Sequence, residues 1–319
     1  MLRDEMITVF GGSGFVGRHV VRALVKKGYR VRVATRRPHL ALDMKVTGVV
    51  GQVELMQANV RNPASVARAV DGAHGVVNLV GILAEGGKQR FASLQAEGAQ
   101  NIAEAAAAAD VQRFVQMSAI GADVDSSSHY AATKAQGEAA VLASFPDAVI
   151  LRPSIIFGTE DEFFNRFADM ARFAPVLPLP GGGDMKMQPV FVGDVAASVA
   201  ASISDTSTSG VYELGGPRTY SYKELMEFIL KTIDRPRFLV PVPMFMMSLL
   251  GLAGEIAAIV PFVKPFLTRD QVVSLSEDNI VAAHGHGLGD LGITPETIES
   301  IVPNYLERYR RYGQFHEAT

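Results

Sequence analysis

Short apolar runs alternate with amphipathic stretches along the first two thirds of the chain. Between the runs, apolar positions recur every three or four residues, which predicts helices. The runs themselves predict strands at Met6–Phe10, Arg30–Thr35, Val53–Gln57, Gly75–Val80, Arg113–Met117, Val149–Leu151 and Val211–Leu214. Strands that alternate with helices in this way indicate an α/β fold with a doubly wound parallel sheet.

The alternation stops after Gly215, and we predict a small, mostly helical C-terminal domain from there. The predicted parallel-sheet domain comprises residues 1–158 and 190–215. The C-terminal domain, of the kind that binds a substrate or docks a partner, comprises residues 159–189 and 216–319.

Within the smaller domain, Glu160–Ala174 is predicted to be an amphipathic helix, and Pro175–Pro189 a connection rich in proline and glycine. Ser221 followed by Glu224 predicts a capping box at the start of another helix. The alternation of tyrosine and arginine in Tyr305–Tyr312 is suited to interfaces and anionic head groups.

An uncharged stretch runs from Phe238 to Gly254, and prolines restrict any helix in it to Met244–Val260. That helix is shorter than the roughly 20 residues of a bilayer span and contains Glu255, so we do not predict a membrane span. Val242–Val263 is predicted to be a docking element for a membrane surface or a partner subunit. The alternative is that it is domain core.

Composition narrows the class of protein. The 319 residues carry a net charge of −3, without the basic excess expected of a nucleic-acid-binding protein. Because there is no cysteine, disulfides, thiolate metal sites and a cysteine nucleophile are excluded. The seven histidines show no metal-ligand spacing, and we predict no metal site. The first strand starts by Met6, so no signal or transit peptide is expected.

A glycine-rich turn joins the first strand to the first helix. Gly11, Gly14 and Gly17 follow the G-x-x-G-x-x-G spacing of a dinucleotide-binding unit. Such glycines allow a tight turn, close approach to a pyrophosphate and close packing of helix on strand. The alternative is a glycine-rich turn without a ligand.

The end of the second strand reads Thr35-Arg36-Arg37-Pro38. An acidic residue at this point would bind the ribose 2′-hydroxyl of NAD. Two guanidinium groups favour the 2′-phosphate that NADP(H) carries instead. We therefore predict NADP(H), with a solvated basic turn as the alternative.

Tyr130 and Lys134 are four residues apart and share one face of a predicted helix. A neighbouring ammonium favours the phenolate form of a tyrosine, which then serves as an acid or a base. Although such pairs arise by chance on exposed helices, this one follows the fifth strand of a nucleotide-binding sheet.

Several motifs occur in an order that resembles the extended branch of the short-chain dehydrogenase/reductase superfamily. They are GGSGFVG, EGAQNIAEAA, FVQMSAIGA, YAATK, LRPSIIFG and QPVFVGDVA. A narrower resemblance is to the NADPH-binding Rossmann-type accessory subunits of respiratory complex I. It is carried by SSSHYAATKAQGEAAV, FPDAVILRPSIIFGTEDEFFNRFADM and KPFLTRDQVVSL followed by GLGDLGI. Bacterial relatives of that group are often labelled NAD-dependent epimerase/dehydratase. The narrower resemblance implies that NADPH is held structurally, without established turnover.

The resemblance implies the site residues. Cofactor contacts would come from Gly11, Ser13, Gly14, Phe15, Val16, Gly17, Arg36, Arg37, Asn59, Val60, Leu79, Val80, Gly81, Ser118, Tyr130, Lys134, Pro153 and Ile156. Tyr130, Lys134 and Ser118 match the catalytic set, whether active or vestigial. Two departures weaken the catalytic reading. The loop between Ser118 and Tyr130 is shorter than in active members, and Gln95 stands where the family has asparagine.

Three functions stay open at this point. The first is an NADP(H)-binding accessory or assembly factor of complex I, peripheral on the cytoplasmic face of a bacterial inner membrane. Its partners would be complex I subunits or the membrane surface. The second is an active NAD(P)-dependent oxidoreductase or epimerase/dehydratase, and the third is a redox sensor. Neither nucleic acid nor metal is an expected partner.

Overall fold

The computed structural model describes residues 2–257 and 268–313. The strands in this part of the chain are β1 (Met6–Phe10), β2 (Arg30–Thr35), β3 (Val53–Gln57), β4 (Gly75–Asn78), β5 (Arg113–Met117), β6 (Val149–Pro153), β7 (Ile156–Phe157), β8 (Val176–Pro180), β9 (Lys186–Met187), β10 (Val190–Phe191), β11 (Gly210–Leu214), β12 (Tyr220–Ser221) and β13 (Phe238–Val242). The helices are α1 (Phe15–Lys26), α2 (Pro63–Val70), α3 (Glu97–Ala108), α4 (His129–Ser144), α5 (Phe164–Phe173), α6 (Val192–Ser204), α7 (Tyr222–Thr232), α8 (Met244–Ala257), α9 (Arg269–Ser274) and α10 (Ile298–Leu306).

The chain forms two compact units, each assembled from three segments. The first contains Met1–Pro153, Val192–Leu214 and Ala282–Thr294. The second contains Ser154–Phe191, Gly215–Val281 and Pro295–Thr319. This division differs from the predicted domains chiefly at residues 282–294, which belong to the first unit. The backbone N–H of Glu213 donates to the carbonyl of His286 at 2.8 Å, which attaches that segment to β11.

A parallel sheet forms the first unit, with its seven strands in the order β11-β6-β5-β4-β1-β2-β3. The predicted doubly wound Rossmann fold is therefore confirmed. All five residues of the central strand β1 are buried, as expected for a parallel strand covered on both faces. The strand order reverses between β1 and β4, and the carboxyl ends of strands at such a point form the usual ligand crevice.

Local signals in the sequence set most element boundaries in this unit. The predicted bounds of β1, β2, β3 and β5 are confirmed. The Asn62 side chain accepts a hydrogen bond from the Ser65 N–H and caps α2. The predicted strand Gly75–Val80 is too long, because the Asn78 side chain accepts the Val80 N–H at 3.0 Å and β4 ends there.

In the second unit, the predicted connection Pro175–Pro189 is wrong in part, because it contains strands β8 and β9. β8 pairs in parallel with β13, a two-stranded ribbon in which prolines are tolerated because each strand has a free edge. The predicted helix Glu160–Ala174 begins later, at Phe164. Asp161 accepts the Asn165 N–H at 3.2 Å and so acts at the start of α5.

Helix α8 lies within the predicted docking stretch and has two unlike sides. Met247 and Gly251 are buried, and a Cβ on Gly251 would lie 3.0 Å from the backbone nitrogen of Arg269 at the start of α9. The opposite side exposes large apolar side chains, and the ribbon strand β13 adds two more. We call these residues the apolar surface: Phe238, Val240, Phe245, Met246, Leu249, Leu250 and Leu252. Residues 258–263 of the predicted docking element lie outside the described part of the chain.

The interpretation of Tyr305–Tyr312 as an interface is wrong for its first half. Tyr305 is buried, and its hydroxyl donates to Asp161 Oδ2 at 2.5 Å. Arg308 donates to Asn165 Oδ1 at 2.6 Å. These side chains hold α10 against the start of α5. In the described residues we find no helix with the length and apolar character of a membrane span.

Candidate nucleotide-binding site

The glycine turn after β1 has a shape that only glycine allows. Gly11 adopts φ +78°, and its carbonyl accepts the Gly14 N–H at 3.0 Å. A Cβ on Gly17 would lie 2.3 Å from the Gly11 carbonyl oxygen and 2.6 Å from the backbone of Gly12. Real Cβ atoms do not approach backbone so closely, so Gly17 allows α1 to start directly against the turn.

The amino end of α1 offers unpaired donors to an anion. Its N-cap is Gly14, which makes no side-chain cap, and there is no acidic residue in the first turn. The first N–H groups of a helix have no partner within the helix, and the helix dipole favours negative charge at that end. Phe15 and Val16 stand in this first turn. The turn therefore fits a pyrophosphate.

At the end of β2, Ser13 and Thr35 join the glycine turn to the strand through a hydroxyl–hydroxyl hydrogen bond of 3.2 Å. Arg36 and Arg37 follow, and both side chains are exposed. Arg36 Nη2 donates to the side-chain oxygen of Gln89 at 3.2 Å. No carboxylate stands in the segment Thr35–Pro38, so nothing here replaces the acid that binds a ribose 2′-hydroxyl.

After β3, Asn59 and Val60 are fixed by neighbouring groups. Asn59 Oδ1 accepts the backbone N–H of Arg61 at 3.3 Å. The Val60 carbonyl accepts the side-chain amide of Asn101 on α3 at 2.9 Å. The Asn59 amide NH₂ is the group through which this residue would bind an adenine edge.

The end of β4 lies against the glycine turn on one side and Lys134 on the other. A Cβ on Gly11 would lie 3.2 Å from the carbonyl carbon of Leu79, and a Cβ on Gly81 would lie 3.2 Å from Lys134 Nζ. The backbone N–H of Val80, the residue after Leu79, donates to the Asn78 side-chain oxygen. Leu79, Val80 and Gly81 therefore lie between the turn and α4, and their cofactor contacts stay a prediction.

Lys134 is buried beneath the end of β5. Its Nζ donates to the Met117 carbonyl at 3.2 Å and lies 5.9 Å from the centroid of the Tyr130 ring. Burial lowers the pKa of the Lys134 ammonium from its ordinary 10.5 to about 8, against the opposing effect of the Glu138 carboxylate. A lysine with this pKa is partly neutral in mildly alkaline solution and is able to exchange its proton there.

Ser118, the next residue after β5, has a buried hydroxyl. Its backbone N–H donates to the Leu151 carbonyl at 2.7 Å, whereas its Oγ has no hydrogen-bond partner in the described residues. A buried, unpaired hydroxyl costs about 1–3 kcal/mol, which a ligand oxygen would recover. Together with the glycine turn, this orphaned atom fits a site built for a bound nucleotide.

Behind Lys134 lies a charge cluster that the sequence motifs did not reveal. Glu138, one turn further along α4, is buried and accepts two hydrogen bonds from Arg152, at 2.9 and 2.6 Å. Hydrogen bonding to Glu138 is the largest of the factors that raise the pKa of the Arg152 guanidinium. The spacing of Lys134 and Glu138 was visible in the sequence, but their pairing with a residue of β6 was not.

Gln95, which replaces the asparagine of the family motif, is wholly engaged. Its amide donates to the Ile82 carbonyl at 2.8 Å, and its side-chain oxygen accepts the Thr133 hydroxyl at 3.0 Å. It lies in a π-helical turn, Ala92–Ala96, that directly precedes α3. Gln95 supports α4 near Lys134.

The predicted site residues fall into two groups. All except Ile156 belong to the first unit, in or just beyond strand ends and in the adjoining starts of α1 and α4. Pro153 is the buried last residue of β6. Ile156 lies in β7 of the second unit, and its cofactor contact stays a prediction.

Comparison with known families gives two matches. A family profile described as NAD(P)H-binding matches residues 11–175. A second profile, described as the RmlD substrate binding domain, matches residues 122–247. The first covers the glycine turn, the end of β2 and the Tyr130–Lys134 pair.

Curated relatives match over nearly the whole chain. The 40 kDa subunit of NADH-ubiquinone oxidoreductase from Neurospora crassa is 32% identical over 310 residues, which cover 97% of this chain and 80% of the relative. Subunit 9 of the NADH dehydrogenase (ubiquinone) 1 alpha subcomplex from Mus musculus is 32% identical over 96% of this chain and 80% of its own length. A ceramide reductase from Caulobacter vibrioides is 33% identical over 69% of this chain and 68% of that protein.

Solved structures agree on the fold. The NADPH-dependent quinone oxidoreductase of Escherichia coli superposes with a TM-score of 0.74 at 20% identity, over 94% of this chain and 99% of that one. A dTDP-glucose 4,6-dehydratase from Streptomyces venezuelae superposes with a TM-score of 0.71 at 19% identity, over 96% and 97%.

Proposed function

This chain belongs to the NAD(P)H-binding family and is homologous to subunit 9 of the complex I alpha subcomplex, and we propose that it holds NADP(H) as an accessory or assembly factor of respiratory complex I. The observation that carries the proposal is the length of the match. The match to these subunits spans 96–97% of the chain and so includes the second unit, whereas the match to the ceramide reductase spans 69%. The proposed partners are complex I subunits.

We propose NADP(H) rather than NAD(H) because of the end of β2. Arg36 would bind the 2′-phosphate, with Arg37 beside it, and the segment Thr35–Pro38 contains no acidic residue that would bind a free 2′-hydroxyl. The first turn of α1 would hold the pyrophosphate, and Asn59 the adenine. When bound, the nucleotide supplies a nicotinamide whose C4 gives or takes hydride.

The proposed location is peripheral, on the cytoplasmic face of a bacterial inner membrane. Support comes from the apolar surface, whose seven large side chains on α8 and β13 are exposed. Exposed apolar patches of this kind mark contacts with proteins or membranes. We propose that this surface docks either onto a complex I subunit or onto lipid of the same membrane.

The first experiment identifies what the protein retains. Freshly purified protein is denatured, and the released nucleotide is identified by mass spectrometry. The expected result is NADP(H) in near-equimolar amount, since a structural ligand should co-purify whereas a turnover enzyme must release its cofactor. Protein that retains no nucleotide and exchanges added NADPH readily would contradict the structural role.

The second experiment tests nucleotide preference by calorimetry. Wild type should bind NADPH more tightly than NADH, and Arg36→Glu should remove that preference. The loss of a charge-assisted phosphate contact should cost at least about 1.5 kcal/mol. Equal binding of both nucleotides by wild type would refute the NADP(H) assignment.

A second candidate function is an active oxidoreductase or epimerase. It is favoured by the unpaired Ser118 hydroxyl and the buried Lys134 near Tyr130. Tyr130 would act as acid or base, and Lys134 would stabilise its phenolate. The test is oxidation of NADPH in the presence of carbonyl substrates, with Tyr130→Phe as the inactive control.

A further inference from the structure

A short hairpin between β4 and α3 contacts several of the residues assigned to the nucleotide. We call Glu85–Phe91 the 85–91 hairpin. Gly86 and Gln89 exchange two backbone hydrogen bonds of 3.0 Å, and Gly87 between them has φ +55°. Glu85 closes the loop, because its carboxylate accepts the Phe91 N–H at 2.7 Å. The hairpin therefore has its own hydrogen bonds and a defined shape.

Two arginines, one from each of two neighbouring strand ends, converge on the tip of this hairpin. Arg36, after β2, donates to the side-chain oxygen of Gln89 at 3.2 Å. Arg61, after β3, donates through Nη1 to the Lys88 carbonyl at 2.8 Å. The Nε of Arg61 is buried and has no hydrogen-bond partner among the described residues. The hairpin tip is thus held at the end of the site assigned to the adenosine.

The other end of the hairpin contacts the opposite part of the site. Phe91 is buried, and its ring meets that of Tyr130 edge to face, with centroids 5.9 Å apart. The tip of the 85–91 hairpin therefore contacts Arg36, the residue proposed to bind the 2′-phosphate. Its base contacts Tyr130, the proposed acid–base residue.

From this juxtaposition we infer that Gln89 is a further specificity-determining residue for NADP(H), supplied by the 85–91 hairpin and paired with Arg36. The inference rests on the proposed NADP(H) site. It adds a nucleotide-binding residue that neither the family motifs nor the strand ends indicate. Glutamine suits the position because its amide has both an acceptor and donors. In this structure the Gln89 side-chain oxygen accepts the hydrogen bond from Arg36. The side-chain NH₂ group is the one that would donate to a phosphate oxygen.

A carboxylate at this position should act in the opposite way. Glutamate would form a charge-assisted pair with Arg36 and compete with the 2′-phosphate for the same guanidinium. It would also repel the phosphate directly. NADH carries no 2′-phosphate, and its affinity should change little. The substitution Gln89→Glu preserves side-chain shape and lies in a surface hairpin, so the fold should be retained.

The experiment measures dissociation constants of NADPH and NADH by calorimetry for wild type, Gln89→Glu, Gln89→Ala and a control, Gln112→Glu. Gln112 is exposed and precedes the first residue of β5, so it lies at the amino ends of the parallel strands, whereas the site lies at their carboxyl ends; it receives the same added charge. We expect Gln89→Glu to weaken NADPH at least about tenfold and NADH less than threefold, since one charged hydrogen bond is worth that much or more. Gln89→Ala should weaken NADPH by a smaller factor, and Gln112→Glu should change neither. The fragment 2′,5′-ADP, which lacks the nicotinamide, should follow NADPH.

The outcomes separate this inference from the proposal beneath it. If wild type prefers NADPH and Arg36→Glu removes the preference while Gln89→Glu does not, only the role of Gln89 is wrong. If wild type shows no preference, both are wrong. Equal weakening of NADPH and NADH by Gln89→Glu would also overturn the inference, because Gln89 would then have a general effect on the site.

Discussion

The buried ammonium of Lys134 makes a prediction about stability and pH. Its Nζ is removed from water, with the Met117 carbonyl as a hydrogen-bond acceptor, and its pKa falls from 10.5 to about 8. Below pH 8 the folded protein must carry a charge that burial disfavours. Between pH 8 and 10.5 the unfolded chain holds a proton that the folded chain has released. The free energy of unfolding should therefore rise with pH across this window.

The magnitude follows from the size of the shift. Each pKa unit corresponds to about 1.4 kcal/mol, so the cost of charging Lys134 in the folded protein is about 3 kcal/mol at neutral pH. Replacement by methionine, Lys134→Met, removes the charge and keeps the unbranched shape. The variant loses the hydrogen bond to the Met117 carbonyl, which lowers its stability equally at every pH. It also lacks the buried charge, which raises its stability relative to wild type only at pH values where Lys134 is protonated in the folded wild type.

The assay compares the two proteins in nucleotide-free form. Unfolding in urea at pH 7, 8, 9 and 10 gives the difference in free energy, which should move in favour of wild type by about 2–3 kcal/mol over this range. Comparison with the variant cancels the contribution of titrating groups that do not interact with Lys134. The ¹³C shift of the Lys134 Cε, assigned by its loss in the variant, gives the midpoint directly. A midpoint above about 9.5, or a difference independent of pH, would refute the reasoning.

Three further predictions concern the site and the surface. Tyr130→Phe should leave complex I activity in membranes of a complemented deletion strain near wild type, whereas a defect as large as the deletion would favour the enzymatic function. Leu249→Glu and Leu252→Glu should reduce co-sedimentation with respiratory membranes roughly tenfold, because burial of a leucine is worth about 1.5–3 kcal/mol. Leu40→Glu, at an equally exposed leucine of the first unit (63% against 62% for Leu249), should not. Unfolding by either helix substitution would show that α8 is core, and sedimentation with protein-free vesicles separates lipid from a protein partner. Gly17→Ala should abolish nucleotide binding or folding, since its Cβ would meet backbone at 2.3 Å, and measurable NADPH binding by a folded variant would contradict this.

The sequence was sufficient where a structure depends on neighbours in the chain. The strand β1, the glycine turn and α1 are set by an apolar run, three glycines and a helical period within about twenty residues. The cap of α2 at Asn62 is likewise local, and the predicted capping box of Ser221 with Glu224 is confirmed.

Features that depend on distant residues were not predictable in the same way. β8 is a strand because it pairs with β13 more than fifty residues later, and its two prolines hide the signal. The sequence suggests that Tyr305 is an interface residue, but in the structure its hydroxyl donates a hydrogen bond to Asp161, 144 residues earlier in the chain. The contact of Arg36 with Gln89 joins a strand end to a hairpin whose sequence contains no motif. In each case the partner, not the residue itself, decides the role.

The interleaving of the two compact units has a consequence for synthesis of the protein. The first unit gains its edge strand β11 only at Gly210–Leu214, and the segment Ala282–Thr294 attaches to that strand later still. The Glu213 carboxylate on β11 accepts the N–H of Ala282 at 2.7 Å, and this hydrogen bond forms only after Ala282 has been translated. A chain that emerges from the ribosome in order therefore completes this unit only after residue 294 has been translated. Nucleotide bound before residue 214 has been translated would meet a sheet without its edge strand β11, so we expect loading with nucleotide to follow completion of the sheet.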